Sequence, residues 1–155
     1  MADTPLTISR TRVSPISSDE SAVSGFTNKY TVKYSDIAYG TGSTDTVTLT
    51  LGTTPANWFV DRAIANVTTA FAGTTALAVI VGTTSSTAAF ITSQSIIVAG
   101  VLEGASTLPV LTNATGTAAL SMVATFTNAT GGSPSALTAG QMDLYLRLIN
   151  CSDLP

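Results

Sequence analysis

Residues 57–84 read Asn57-Trp-Phe-Val-Asp-Arg-Ala-Ile-Ala-Asn-Val-Thr-Thr-Ala-Phe-Ala-Gly-Thr-Thr-Ala-Leu-Ala-Val-Ile-Val-Gly-Thr-Thr84, and the other strands can be arranged around them. Residues 59–71 are β-branched or aromatic often enough to predict one long strand, which the turn at 72–75 interrupts. From 76 to 81 both alternating sets of side chains are apolar, which predicts a strand covered on both faces. We therefore expect a hairpin in the middle of a two-layered β-structure, with Gly73 supplying a positive φ at its turn.

Composition also favours an all-β domain. The 155 residues are enough for one domain, and 45% of them are hydrophobic, whereas only 10% are charged against an ordinary figure of about 25%. Thr favours strands and Gly favours turns. Between Ala63 and Met142 the only charged residue is Glu103. A monomer usually has a mixed, charged surface, so we expect other subunits to cover much of this segment.

The charge and cysteine counts exclude several classes of protein. The net charge of −3 argues against nucleic-acid binding, which needs clustered Lys and Arg. Cys151 is the only cysteine, so an internal disulfide and a CxxC metal site are excluded. The first residues lack the pattern of a signal peptide, and no apolar run approaches the ~20 residues of a membrane helix. We expect a soluble protein made in a cytosol, with no membrane partner.

Residues 1–27 differ from the rest of the chain and are interpreted as an N-terminal arm. Residues 6–13 alternate like a short strand, and 14–21 form a polar, proline-containing linker. One interpretation is an arm that becomes ordered on a neighbouring molecule, to which it adds a strand. The other is a frayed terminus or an edge strand. Residues 28–155 then form the β-sandwich domain.

The remaining strands are predicted from period-two alternation. Residues 29–34 place Tyr30, Val32 and Tyr34 inward, and residues 141–150 place Asp143 outward. The inward sets of the other segments are Val47, Leu49 and Leu51; Leu77, Val79 and Val81; Leu120, Met122, Ala124 and Phe126; and Met142, Leu144, Leu146 and Leu148. Further strands are predicted at 88–91 and 108–111, and the apolar run 95–102 is interpreted as a buried strand, with a short helix as the alternative.

These segments give about eight or nine strands and no convincing helix. We predict an all-β, jelly-roll-like antiparallel β-sandwich with an N-terminal arm. An immunoglobulin-like sandwich is the alternative, although the paired cysteines of the antibody type are missing.

The sequence offers little catalytic chemistry. Histidine, the usual base beside a Ser or Cys nucleophile, is absent from the chain. Lys29 and Lys33 alternate outward on a strand with no implied apolar pocket. Asp61 and Arg62 lie next to Trp58 and Phe59. One interpretation is a sugar-binding site that these aromatic residues frame. The other is that Asp61 and Arg62 form an ion pair, or are simply two surface residues, at a strand end. We predict no enzymatic activity and no catalytic, cofactor-binding or metal-binding residue.

Other polar motifs carry no function of their own. Asn-x-Ser/Thr occurs at Asn66, Asn113, Asn128 and Asn150, but without a secretory signal these matches imply no glycan. Residues 40–45 are rich in Gly and Thr, yet they lack the lysine and the following helix of a phosphate-binding loop. Cys151 is expected to be a free thiol near the terminus.

Three segments carry a resemblance to a known family. The run Val60-Asp-Arg-Ala-Ile-Ala-Asn-Val-Thr-Thr-Ala-Phe-Ala-Gly73, then Leu77-Ala-Val-Ile-Val-Gly-Thr83, resembles small jelly-roll virion proteins of tailed bacteriophages. The closing Leu137-Thr-Ala-Gly-Gln-Met-Asp-Leu-Tyr-Leu-Arg-Leu148 is similar to their last strand. The likeness covers roughly residues 28–150. It implies a head decoration, or cement, protein: a homotrimer on the capsid surface that ties major capsid protein subunits together. The family implies no catalytic residues.

Two other functions compete with this one. A tail-fibre or baseplate module that binds host glycan is the first, and a small bacterial carbohydrate-binding domain is the second. Either should expose aromatic side chains in a groove, for which Tyr39, Trp58 and Tyr145 are the candidates. An enzyme is a distant third case, because the chain lacks an evident acid–base pair.

Overall fold

The computed structural model describes residues 6–9, 14–15, 25–38, 46–54, 58–104, 110–111, 120–128 and 133–150. The described strands are β1 (Leu6–Ser9), β2 (Ser14–Pro15), β3 (Asn28–Lys33), β4 (Thr46–Thr54), β5 (Trp58–Ala72), β6 (Leu77–Thr83), β7 (Ile91–Ser95), β8 (Gly100–Glu103), β9 (Val110–Leu111), β10 (Leu120–Asn128) and β11 (Ala139–Asn150). A one-turn helix, α1 (Tyr34–Ile37), follows β3, and a 3₁₀ turn, Pro134–Ala136, precedes β11.

The strands form two sheets that pack face to face. Sheet A has the order β1-β4-β10-β6-β7, and sheet B has the order β2-β3-β11-β5-β8, with β9 also paired to β5. When β1, β2 and β9 are set aside, each sheet has four antiparallel strands, β4-β10-β6-β7 and β3-β11-β5-β8. The chain passes repeatedly from one sheet to the other, as in a jelly roll. The predicted all-β sandwich is confirmed.

Apolar side chains at alternate positions of the strands fill the space between the two sheets. The inward side chains of β4 are Val47, Leu49 and Leu51, and all are buried. In β11 Met142, Leu144, Leu146 and Leu148 are buried against them from the other sheet. Leu77, Val79 and Val81 of β6 complete this part of the core. The predicted core positions on β4, β6 and β11 are therefore confirmed. Each large apolar side chain removed from water stabilises the fold by about 1.5–3 kcal/mol.

The expected central hairpin is wrong. β5 belongs to sheet B and β6 to sheet A, so the connection around Gly73 crosses between the sheets. Gly73 has the predicted positive φ, 107°. A Cβ there would also collide with the backbone oxygen of Ala136. The core covers one face of β6, while Ala78 and Ile80 on its other face are only half-buried. A strand can be apolar on both sides without having both sides buried.

Two further expectations fail where a strand ends early. Tyr34 begins α1 instead of continuing β3, and its side chain is 37% exposed. The apolar run 95–102 is not one buried strand, because the chain leaves sheet A after Ser95 and enters sheet B at Gly100. Val101 is 63% exposed, since β8 lies at the edge of its sheet. The local hydrophobicity of the sequence shows neither where β3 ends nor where the chain crosses from sheet A to sheet B.

Other boundaries shift by a few residues. β4 continues to Thr54, where a turn had been expected, and β7 begins at Ile91, where the predicted segment 88–91 ends. The predicted strand 108–111 is described only at Val110–Leu111, which pair with β5. In β10 Met122, Ala124 and Phe126 face the core as predicted. The side chain of Leu120 lies outside the described residues.

Part of the N-terminal arm pairs with the domain itself. β1 runs parallel to β4, with Leu6 opposite Val47 and Ser9 opposite Thr50. β2 pairs with β3, so the two short strands lie at the edges of both sheets on one side of the sandwich. These pairings match the edge-strand interpretation of residues 6–9 and 14–15. The boundary between an arm at 1–27 and a domain at 28–155 stays a prediction.

The position of β11 gives a direct test of the core. Leu146 is fully buried, so Leu146→Ala should lower the free energy of unfolding by about 2–5 kcal/mol, because it leaves a cavity between the sheets. Urea denaturation measures the change. Val101→Ala, at an exposed position of the same sheet, is the matched control and should change stability by less than about 0.5 kcal/mol. Equal, small effects of both substitutions would contradict the core described above.

Candidate functional site

The two sheets differ sharply in charge. The strands of sheet A span Leu6–Ser9, Thr46–Thr54, Leu77–Thr83, Ile91–Ser95 and Leu120–Asn128, and these segments contain no charged residue. The charged residues of the described strands all lie on β3, β5, β8 and β11 of sheet B: Lys29, Lys33, Asp61, Arg62, Glu103, Asp143 and Arg147. Among the described strands, all charges therefore belong to one sheet of the sandwich and none to the other.

Threonines dominate the outer side of sheet A. Because Val47, Leu49 and Leu51 face the core, the residues between them point outward. Thr125 of β10 lies between Thr48 and Ile80, and Thr127 lies between Thr46 and Ala78. We call this surface the threonine face; its members are Thr46, Thr48, Thr50, Ala78, Ile80, Thr125 and Thr127. It combines hydroxyl groups with small or β-branched apolar groups.

Four of the five threonine hydroxyl groups in the threonine face are paired with each other. The Oγ1 atoms of Thr48 and Thr125 lie 3.2 Å apart, and those of Thr46 and Thr127 lie 3.4 Å apart. These are cross-strand pairs on one side of an antiparallel ladder, a known source of sheet stability. Thr125 is only 8% exposed, since its neighbours in β4 and β6 enclose it. The pairing satisfies part of the hydrogen-bonding capacity of these groups without water.

A loop closes one end of the threonine face. Residues 84–87 fold back over Gly82, where a Cβ atom would collide with the backbone oxygen of Ser86. The N–H of Thr84 donates to the carbonyl of Ser121 at 3.0 Å. Val123 lies opposite Gly82 on the outer side and is 2% exposed. The open part of the face is therefore the threonine rows on β4 and β10 and the half-buried residues of β6.

Ion pairs connect neighbouring strands on the outer side of sheet B. Lys29 Nζ lies 3.2 Å from Asp143 Oδ2, and the Thr31 hydroxyl donates to the other carboxylate oxygen of Asp143 at 2.6 Å. Lys29 also lies 5.4 Å from the centre of the Tyr145 ring, which contacts Phe26. Asp143 points outward as predicted but is only 8% exposed, because Lys29 and Thr31 of β3 contact its carboxylate.

These contacts change the acidity of Lys29. Partial burial by itself would lower the pKa of the Lys29 ammonium, but hydrogen bonds to Asp143 and Tyr145 outweigh it and raise the pKa. Lys29 therefore carries its positive charge at neutral pH. We call the surface made by Lys29, Asp61, Asp143, Tyr145 and Arg147 the charged face.

Asp61 takes part in an ion pair, although not with its sequence neighbour. Arg147 Nη1 lies 3.5 Å from Asp61 Oδ2. A register shift between Arg147 and Leu148 places an extra residue in β5 at this point, as in a β-bulge. Of the two interpretations of Asp61 and Arg62, a surface ion pair fits the geometry of Asp61 better than a sugar site.

The candidate glycan-binding aromatics do not meet. Trp58 lies opposite Asn150, five positions along β11 from Tyr145, which is about 17 Å at strand spacing. Trp58 packs against the core, and Tyr145 is in contact with Phe26 and Lys29. Tyr39 lies outside the described residues. One aromatic platform that includes both Trp58 and Tyr145 is therefore not formed.

A small cavity lies between the sheets beside β3 and β4. Its volume is about 30 Å³, and Tyr30, Asp36, Leu49 and Leu51 are among its lining residues. That volume holds about one water molecule. Asp36 accepts the Lys33 backbone N–H at 2.9 Å and so begins α1. The cavity is too small for a sugar or a cofactor.

Some of the polar motifs noted in the sequence lie on described strands, and others lie outside the described residues. Asn66 lies on β5, Asn150 ends β11, and Asn128 is fully buried. Asn113, Cys151 and residues 40–45 lie outside the described residues. In the part of the chain that is described, no three His, Cys, Asp or Glu residues come together to form a metal site. Nor does any helix there have the length and apolarity needed to span a membrane.

Comparison with known proteins adds no further assignment. Neither protein-family models, nor curated proteins, nor solved structures returned a match to this chain.

Alkaline pH tests the environment of the cavity-lining tyrosine. Burial raises the pKa of Tyr30 above its ordinary 10.0, although a hydrogen bond with Asn28 opposes the shift. The unfolded chain therefore releases this proton at a lower pH than the folded chain. The contribution of neutral Tyr30 to the free energy of unfolding is complete below pH 10.0, and it is lost as the pH rises through the pKa of Tyr30 in the folded chain.

Tyr30→Phe should remove that part of the pH dependence. Between about pH 9 and pH 11 its melting temperature should fall less than that of the wild type. Tyr34→Phe is the matched control, because Tyr34 is 37% exposed, and it should follow the wild-type curve. Parallel curves for the wild type and Tyr30→Phe would contradict the raised pKa of Tyr30, because they would mean that folding does not change it.

Proposed function

We propose that this chain is a structural virion protein: a capsid decoration, or cement, protein that binds the major capsid protein lattice of a tailed bacteriophage and stabilises its head. The observation that carries the proposal is a jelly roll with no charged residue in the strands of one sheet. Jelly rolls occur in viral capsid proteins and in lectins. The fold alone does not choose between them.

The uncharged sheet favours a protein that works in an assembly. A soluble monomer usually has charges of both signs over its surface. Here the charges of the described strands lie on sheet B, and the outer side of sheet A has paired hydroxyl groups. Such a surface suits contact with another protein, because no charge has to be removed from water.

The charged side chains support a structural role more than a catalytic one. Asp143 interacts with Lys29 and Thr31, and Asp61 interacts with Arg147. These groups hold neighbouring strands together on the outer side of a sheet and do not converge on a pocket. A general acid or base needs a substrate within hydrogen-bond reach. We therefore propose that the protein has no enzymatic activity.

Glycan binding is the alternative function, either in a tail fibre or baseplate or in a bacterial carbohydrate-binding domain. The jelly-roll fold is compatible with it, because lectins share this architecture. The separation of Trp58 from Tyr145 along β11 is unfavourable for a common sugar platform. The glycan-binding function therefore ranks second.

The proposed assembly is a homotrimer. Light scattering of the purified protein should give a mass near 47 kDa, three times the chain mass of 15.7 kDa. A 15.7 kDa monomer at micromolar concentration would contradict the trimer and leave the capsid itself as the cover for sheet A.

Binding to phage heads tests the function directly. The purified protein should bind heads of the encoding phage from which it has been stripped, and it should raise the temperature at which those heads rupture. Ligands that stabilise a folded assembly act in this way by mass action. Heads of an unrelated phage are the control. Binding to host surface polysaccharide, without binding to heads, would favour the glycan alternative.

A further inference from the structure

We propose that the threonine face docks on an uncharged area of the shell protein, and that the charged face of sheet B points away from the shell. This inference rests on the proposed function and specifies its contact surface. The occupant of the threonine face is thus a protein surface of small, β-branched and hydroxyl-bearing side chains.

The threonine face loses little when water is removed from it. Burying a hydroxyl without a partner is unfavourable, because its hydrogen bonds to water are lost. In this face Thr48 pairs with Thr125, and Thr46 pairs with Thr127. Ala78 and Ile80 add apolar surface that gains from burial. The face therefore needs few hydrogen bonds from its partner.

The absence of charge in the strands of sheet A determines the chemistry of the partner. A partner charge buried against this face would lose its hydration and would gain no opposite charge from these strands. Nucleic acid and acidic peptides require cations that these strands lack. The face is complementary only to a surface that is also uncharged.

The charged face is much less suited to such a contact. Its ion pairs, Lys29 with Asp143 and Asp61 with Arg147, leave Lys29 and Arg147 partly exposed to water. Covering them would remove hydration from both charges of each pair, a cost that their mutual attraction often does not repay. In solvent, the same residues keep the protein soluble.

The size of the face agrees with attachment as an oligomer. The three strands that carry the face, spaced about 4.8 Å apart and about five residues long, cover roughly 240 Å². A stable interface usually buries about 800 Å² from each partner. One copy therefore falls well short, whereas three copies held in one particle present roughly 720 Å², close to that area, and gain from multivalent binding. The proposed homotrimer would thus be necessary for tight attachment.

A lysine scan of both sheets tests the inference on stripped heads. Thr48→Lys places a charge at the centre of the β4 row of the threonine face and should weaken binding about tenfold or more. Thr69→Lys, at an exposed position of β5 in sheet B, is the matched control and should bind like the wild type. Wild-type binding should change less than about twofold between about 50 mM and 500 mM salt, because no charge is at the contact.

The outcomes separate this inference from the proposed function. If the wild type binds heads and Thr48→Lys binds equally well, the docking face is wrong while the decoration function stands. If the wild type fails to bind, both are wrong. If Thr48→Lys lowers the particle mass in light scattering, the threonine face joins copies of this chain, and the inference is overturned. Thr46→Lys, at the start of β4, repeats the test if Thr48→Lys does not fold.

Discussion

The pairing of β11 with its two neighbours is the interaction on which the sandwich depends. β11 lies between β3 and β5, so it holds the two halves of sheet B together. Its inward residues form a continuous apolar row against sheet A: Met142, Leu144, Leu146 and Leu148. Its outward residues Asp143 and Arg147 form ion pairs with β3 and β5. Disruption of this strand would divide both the sheet and the core.

The same architecture produces two outer surfaces with different physical properties. Both sheets bury apolar side chains toward a common core, so their inner faces are alike. Their outer faces are free to differ, because a strand exposes every second residue independently of the buried set. Sheet A uses hydroxyl pairs across its strands, and sheet B uses ion pairs. The first kind can be removed from water more readily than the second.

The charge-poor segment of the sequence located only part of the candidate surface. Residues 63–142 have Glu103 as their only charge, and β6, β7 and β10 of sheet A lie within them. However, β8 and the part of β5 from Ala63 onward, both in sheet B, lie there as well, while Thr46 and Thr48 lie outside the segment. The threonine face exists because β10 pairs with β4, from a distant part of the chain. No local pattern in the sequence indicates that pairing.

What the sequence determined by itself is the direction of most strand side chains: Val47, Leu77 and Leu144 were correctly placed inside by alternation, which is a local property of the extended chain. Tertiary structure decided which strands are neighbours. It sent β5 and β6 to different sheets across Gly73, and it placed Val101 on an exposed edge strand. The physical reason is that alternation depends on adjacent residues, whereas strand order depends on which distant segments bury the shared core best.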